Sequence, residues 1–226
     1  LARQFLFDRH PSIRGLAIGF LVKNGVDVKA IYLSCLESNQ PKILRCVIWG
    51  IAELNCFDSV RSVKIFLNNA HPSIRKQTVN ALAKLMRDDS SDILIGSLQD
   101  ESSAVCKESA RLLLKQGITF TCNELLSVAE QSGKKHTLDT CLSISRTINK
   151  WERLLFIASL FDEKYKNWFR DADQLGNAIR QWDFEFNRSY TQPSEDQLQL
   201  LGEMFGYVKE LKANQSVAFT LKSYGL

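Results

Sequence analysis

The strongest constraint on this chain is a phrase that it uses twice. His10-Pro11-Ser12-Ile13-Arg14 returns as His71-Pro72-Ser73-Ile74-Arg75, with Gln40-Pro41-Lys42-Ile43 between them. Pro11, Pro41 and Pro72 stand 30 and 31 residues apart, and 31 more reaches Ser103 in Asp100-Glu101-Ser102-Ser103-Ala104-Val105. A fixed period of this length marks stacked supersecondary units, each too small to bury its own apolar face. Two residues after each anchor come Ile13, Ile43, Ile74 and Val105; seven after come Ile18, Ile48, Val79 and Ala110; ten after come Leu21, Ile51, Leu82 and Leu113. These offsets trace one apolar face of a helix. A further step of 31 lands on Lys134, with His136, Cys141 and Ile144 in the same columns, a degenerate fifth copy.

Other apolar stripes lie between these helices, over residues 28–36, 58–67, 92–98 and 123–130. Each unit then reads as helix, tight polar turn, second helix and short link. Proline at the turn suits the first helical position, where its missing N–H would be orphaned in any case. Four prolines and eleven glycines in 226 residues leave few breakers for many short strands, so the chain is expected to be all-α.

The phrase His71-Pro72-Ser73-Ile74-Arg75-Lys76-Gln77-Thr78-Val79-Asn80-Ala81-Leu82 resembles the turn and second helix of HEAT repeats of the short variety. The chain departs from that pattern in places. The acidic residue usual before the proline is His or Gln, the arginine becomes Leu44 and Cys106, and the period is short. The resemblance covers about residues 1–146. It implies a right-handed α-solenoid of four to five helical hairpins over residues 1–150, closed by a helical C-terminal cap over 151–226. The apolar stretch Leu1-Ala2-x-x-Phe5-Leu6-Phe7 has no earlier hairpin to cover it, so further repeats or another domain are expected upstream.

Four, eight and twelve residues after each anchor lie on the face opposite the apolar columns. The first row is Gly15, Arg45, Lys76 and Lys107; the second is Gly19, Trp49, Asn80 and Arg111; the third is Lys23, Glu53, Lys84 and Lys115. Any exposed helix carries long basic side chains. A merely solvated face mixes its signs, however, and this one holds seven cations and one carboxylate. By the resemblance, second helices line the concave side, so Arg45, Trp49, Lys76, Asn80, Lys84, Lys107, Arg111 and Lys115 are expected to form a basic partner-binding surface. Such a surface suits carboxylates of a protein or a phosphate backbone.

Charge is distributed to match. Residues 1–150 carry 20 Lys and Arg against 14 Asp and Glu, whereas the remainder carry 9 against 11. The six cysteines, at 35, 46, 56, 106, 122 and 141, form no C-x-x-C pair and sit among apolar or small neighbours, as buried free thiols do. A reducing, cytoplasmic setting is expected. His10 and His71 share a turn position but lie two repeats apart, too far to meet on one metal ion. The longest apolar run, Leu16 to Val22, falls far short of the roughly 20 residues that span a bilayer. No nucleophile, metalloprotease or phosphate-loop phrase occurs, and no carboxylate pair is placed for acid–base work.

Beyond residue 150 the phrase stops and aromatic residues thicken, from Trp151 and Phe156 through Trp168 and Trp182 to Tyr190. Aromatics at helical spacing are expected as core, sealing the end of the array. The loop 187–193 either ties the last helices together or presents Arg188 to a partner. Ser194 and Gln197 read as a capping box for a helix to about residue 212.

The expectation is therefore a non-catalytic scaffold, without metal or cofactor, that binds a protein partner or another domain of a longer chain. The alternative is a module for DNA or RNA, including a glycosylase-like enzyme, although no carboxylate stands beside Trp49 to act on a flipped base.

Overall fold

In the computed structural model, residues 1–160 are described, together with 165, 180, 184, 194, 195, 198, 199 and 202. The capping helix expected from Ser194, the loop 187–193 and most of the aromatic-rich segment lie outside the described residues. Backbone proximity divides the chain into two compact units, Leu1–Ile118 and Thr119–Leu226.

The first unit opens with a 3-10 segment, Ala2–Phe7, followed by α1 (Pro11–Lys23), α2 (Val28–Ser34), α3 (Pro41–Glu53), α4 (Val60–Lys64), α5 (Pro72–Met86), α6 (Ser91–Ser97) and α7 (Ser103–Lys115). Each long helix begins at a repeat anchor, and Pro11, Pro41 and Pro72 stand in its first turn. The helices α3, α5 and α7 stack side by side, and α2, α4 and α6 each pack on the long helix that follows. No strand occurs among the described residues.

The turns explain why a chain lacking the usual acidic residue before proline still folds this way. Asp8, Ser38, Asn69 and Asp100 all sit three residues before an anchor. Each side chain accepts the N–H of the residue just before the anchor, at 2.8, 3.3, 2.9 and 2.7 Å. These short polar side chains hold a turn that presets the helix entry. The carbonyl of the same residue then takes a donor from the helix: Arg14 Nη1 to Asp8 at 2.8 Å, Arg75 Nη1 to Asn69 at 2.8 Å, and the Cys106 thiol to Asp100 at 3.3 Å. Cys106 thus occupies the arginine's place and donates to the same carbonyl, whereas Leu44 at that column is simply buried.

Fourteen residues after the anchor, α1, α3 and α7 close on Gly25, Asn55 and Gly117, with φ of 72°, 53° and 73°. The next N–H reaches back to a carbonyl five residues earlier, at 3.0 to 3.1 Å, which ends the helix and satisfies an orphan acceptor. Only α5 departs. It runs 15 residues rather than 13, and the positive φ falls on Arg87 (φ 53°, ψ −124°).

The core follows the predicted columns from α3 onward, with Ile43 half-buried. It does not do so in α1, where Ile13 is exposed and Ile18 half-buried because no preceding hairpin packs on them among the described residues. Ile48, Ile51, Ile74, Val79, Leu82, Val105 and Leu113 are all at most 1% exposed. Beside them the Tyr32 ring lies against Gly50, where a Cβ would come within 2.3 Å of it. Tyr32 donates to the Leu6 carbonyl at 3.1 Å and meets the Phe7 ring edge-on at 6.2 Å.

The second unit contains α8 (Cys122–Ser132), α9 (Lys135–Ile144) and α10 (Lys150–Ser159). Thr121 and Glu124 form a reciprocal capping box on α8. The Glu152 carboxylate accepts the Cys122 N–H at 2.6 Å, tying α10 to the start of α8. Burial, with Glu152 nearby, pushes the Cys122 thiol up to about 12, so it stays protonated. Cys141 and Ile144, in the columns of the degenerate fifth copy, are fully buried, as are Leu125 and Phe156. Tyr165 is buried as well and hydrogen-bonds the Glu130 carboxylate.

Candidate functional site

Stacking α3, α5 and α7 in register turns the sequence stripe into a surface. Two open hollows lie along it. One of about 560 Å³ is bordered by Trp49 of α3, Asn80 and Lys84 of α5, and Arg111 and Lys115 of α7. The other, about 300 Å³, is bordered by Arg45 and Trp49 of α3 together with Asn80, and by Arg9 and Arg14 from the first hairpin. Trp49 and Asn80 line both, so the hollows are two halves of one groove. Lys76 and Lys107 line neither.

Ion pairs sort the cations further. Glu108 of α7 is only 13% exposed and binds Lys76 at 3.3 Å and Arg111 at 2.5 Å. Burial alone would raise the Glu108 carboxyl, but hydrogen bonds from Arg111 and Lys76 outweigh it and hold the group below the usual Glu range. Asn80 bridges the same two residues, donating to the Lys76 carbonyl at 3.0 Å and accepting from Arg111 at 3.4 Å. Lys76 and Arg111 are therefore partly neutralised, and an ion-pair network joins α5 to α7 there. Lys84 places its ammonium 5.8 Å from the centre of the Trp49 ring, within cation–π range. Glu53, the carboxylate of the stripe, pairs with buried Arg14 at 2.8 Å. Among the described residues, Arg45, Lys84, Lys107 and Lys115 enter no ion pair.

The stripe omitted several residues that the structure brings to the groove. Arg87 and Asp88 border its larger half. Arg87 follows α5 in a backbone conformation that favours glycine, and its carbonyl accepts from Ser90 Oγ at 2.5 Å and Gln116 Nε2 at 3.0 Å. Ala83 and Leu112, 9% and 8% exposed, lie at the bottom, beneath the exposed cations. The larger half thus sets Lys84, Arg87, Arg111 and Lys115 against the single carboxylate of Asp88, over an apolar base. Such a surface is suited chemically to anionic groups and to apolar side chains leaving water.

Elsewhere, no cluster of three or more His, Cys, Asp or Glu side chains suited to a metal ion occurs among the described residues. All six cysteines are free, and five of them are buried. No helix among the described residues is long and apolar enough to cross a membrane.

Helical hairpins recurring every 30 or 31 residues and stacked through their second helices make this an all-α solenoid. Residues 29–115, from α2 through α7, match the family of HEAT repeats. This part of the chain is similar to HEAT repeats, and it includes α3, α5 and α7, which line the larger half of the groove. No curated protein matches the chain.

Proposed function

We propose that the chain is a non-catalytic scaffold that binds a protein partner, or another domain of a longer chain, through the basic groove of α3, α5 and α7. HEAT repeats commonly serve as scaffolds for protein interactions, and the match covers the three helices concerned. The observation that carries the reading is the convergence of Lys84, Arg87, Arg111 and Lys115, from two helices and the turn after α5, on one groove opposite the single carboxylate of Asp88. Like charges gathered at a concave surface raise the local potential and steer an acidic partner to it. The free, mostly buried thiols suit a reducing, cytoplasmic setting.

Nucleic acid is the second reading, favoured by Trp49 among the cations. Salt dependence on two resins separates the readings. Immobilised polyglutamate is expected to retain the protein at low salt, and Arg45→Glu/Lys84→Glu/Lys115→Glu to elute early with its melting temperature nearly unchanged, because these exposed cations enter no ion pair. Stronger retention on duplex DNA, with a steep salt slope, would favour phosphate contacts. Flow-through on both resins would remove the basic groove as a binding surface. Lys76 and Arg111 are unsuitable for such a reversal, since a glutamate at either place would face Glu108.

A further inference from the structure

We propose that the larger half of the groove takes a short segment of a partner protein in which an apolar side chain is flanked by carboxylates. This rests on the basic-groove reading and narrows it to one class of ligand. The lining has two layers: Ala83 and Leu112 are buried, and Lys84, Arg87, Arg111 and Lys115 stand exposed around them. Phosphates alone need only the outer layer. An apolar side chain resting on the inner one gains by leaving water, while carboxylates on either side meet the cations.

Size and sign point the same way. A hollow of about 560 Å³ is on the scale of a few peptide side chains. Asp88 borders it, and Glu108 stands between Lys76 and Arg111. Fixed carboxylates repel a continuous row of phosphates, whereas a peptide brings backbone N–H groups that Asp88 can accept. Binders of single-stranded nucleic acid stack successive bases on several aromatic rings, and Trp49 is the one aromatic residue of this lining.

Arg87 supplies an independent sign that the groove is kept for binding. The second helices α1, α3 and α7 end on Gly or Asn at positive φ, and only α5 puts a long cation there. Glycine would relieve that backbone, so retaining arginine sets a guanidinium at the groove against local strain.

The test measures binding of the labelled peptide acetyl-Asp-Glu-Leu-Phe-Asp-Glu-amide by fluorescence anisotropy at physiological salt. Its comparators are an Asn-Gln-Leu-Phe-Asn-Gln version, an Asp-Glu-Gly-Ser-Asp-Glu version and a twelve-nucleotide oligothymidylate. Both altered peptides are expected to bind about tenfold or more weakly, since each lacks one of the two layers of contact. Arg87→Gly is expected to melt no lower than the wild type and yet bind the parent peptide about fivefold or more weakly, by loss of a charge-assisted contact. Equal affinity for the Gly-Ser version would overturn the proposal while leaving a general polyanion groove in place. Oligothymidylate binding tighter than the peptide, or unchanged peptide binding by Arg87→Gly, would also overturn it. Failure of every acidic probe would overturn the basic-groove reading along with it.

Discussion

The two copies of the His-Pro-Ser-Ile-Arg phrase fold alike locally and end in different surroundings. In both, the side chain three residues before the proline holds the turn, and the arginine donates to that residue's carbonyl at 2.8 Å. Beyond the turn they part. Arg75 forks onto Asp100, 25 residues later, with both contacts at 2.7 Å, while Arg14 reaches Glu53, 39 residues later. Around α5, packed by α3 and α7, seven side chains are buried. Around α1 only Arg14, Ala17 and Leu21 are, and Leu16, Phe20 and Val22 are 77%, 58% and 55% exposed. The places of Leu16 and Phe20 in α3 hold Cys46 and Gly50, both buried. A repeat unit therefore carries the code for its turn, and its neighbours supply the burial that makes its helix stable.

The sharpest way to break this comparison is to truncate one leucine in each of the two helices. Leu82→Ala in α5 is expected to cost about 3 kcal/mol, because a fully buried leucine leaves a cavity. Leu16→Ala in α1 should change stability by less than about 0.5 kcal/mol. Equilibrium urea unfolding of both variants measures the pair, and equal losses would mean that α1 is covered in solution.

Removing one partner of the Arg75–Asp100 fork is the next largest effect. Both side chains are 13% exposed, and Asp100 also holds the Ser102 N–H. Asp100→Ala is expected to cost about 2 to 3 kcal/mol, at or just below the low end of the range for orphaning a buried charge because both side chains keep some exposure. Glu53→Ala should cost less, since Asp100 also holds the Ser102 N–H of its turn whereas Glu53 binds Arg14. Gly50→Ala follows at about 1 to 2 kcal/mol: the methyl group meets the Tyr32 ring, and the gain in helix propensity offsets part of the strain. A neutral result in thermal melting would show that Tyr32 has room to move.

Much of this was legible from the residues. The period, the starts of the second helices and the buried columns follow from spacing alone, because helix periodicity and burial act on the same residues. The stripe found Trp49, Asn80, Lys84, Arg111 and Lys115 on one groove, but it treated every cation as equal. Glu108 neutralises Arg111 one turn along α7, and it neutralises Lys76 across a helix–helix contact whose register no local pattern specifies. Arg87 was hidden because α5 runs two residues past the length of its neighbours, which changes which side chain reaches the groove. The polar residue three places before each anchor carries no helical or strand periodicity, so only the folded turn shows its role.

The smallest effect concerns pH. Glu108 is held below its ordinary value in the folded chain, so its ion pairs contribute stability that is full above the unfolded Glu value of about 4.3 and is lost as pH falls through the lower folded value. Glu108→Gln should therefore melt below the wild type at pH 6, by an amount equivalent to less than about 1 kcal/mol. The gap should narrow toward pH 3. A gap that stays constant would mean that the carboxylate's charge contributes nothing.

The comparison of the two regions leads to one measurement. Exposed apolar α1 and the cation-rimmed groove are both open surfaces, and the account assigns partner binding to the groove. Titrating isotope-labelled protein with the Asp-Glu-Leu-Phe-Asp-Glu peptide should move the Trp49 indole N–H and the Asn80 side-chain amide, while the backbone amides of Leu16 and Phe20 stay in place. Shifts confined to α1, with Trp49 unmoved, would contradict it.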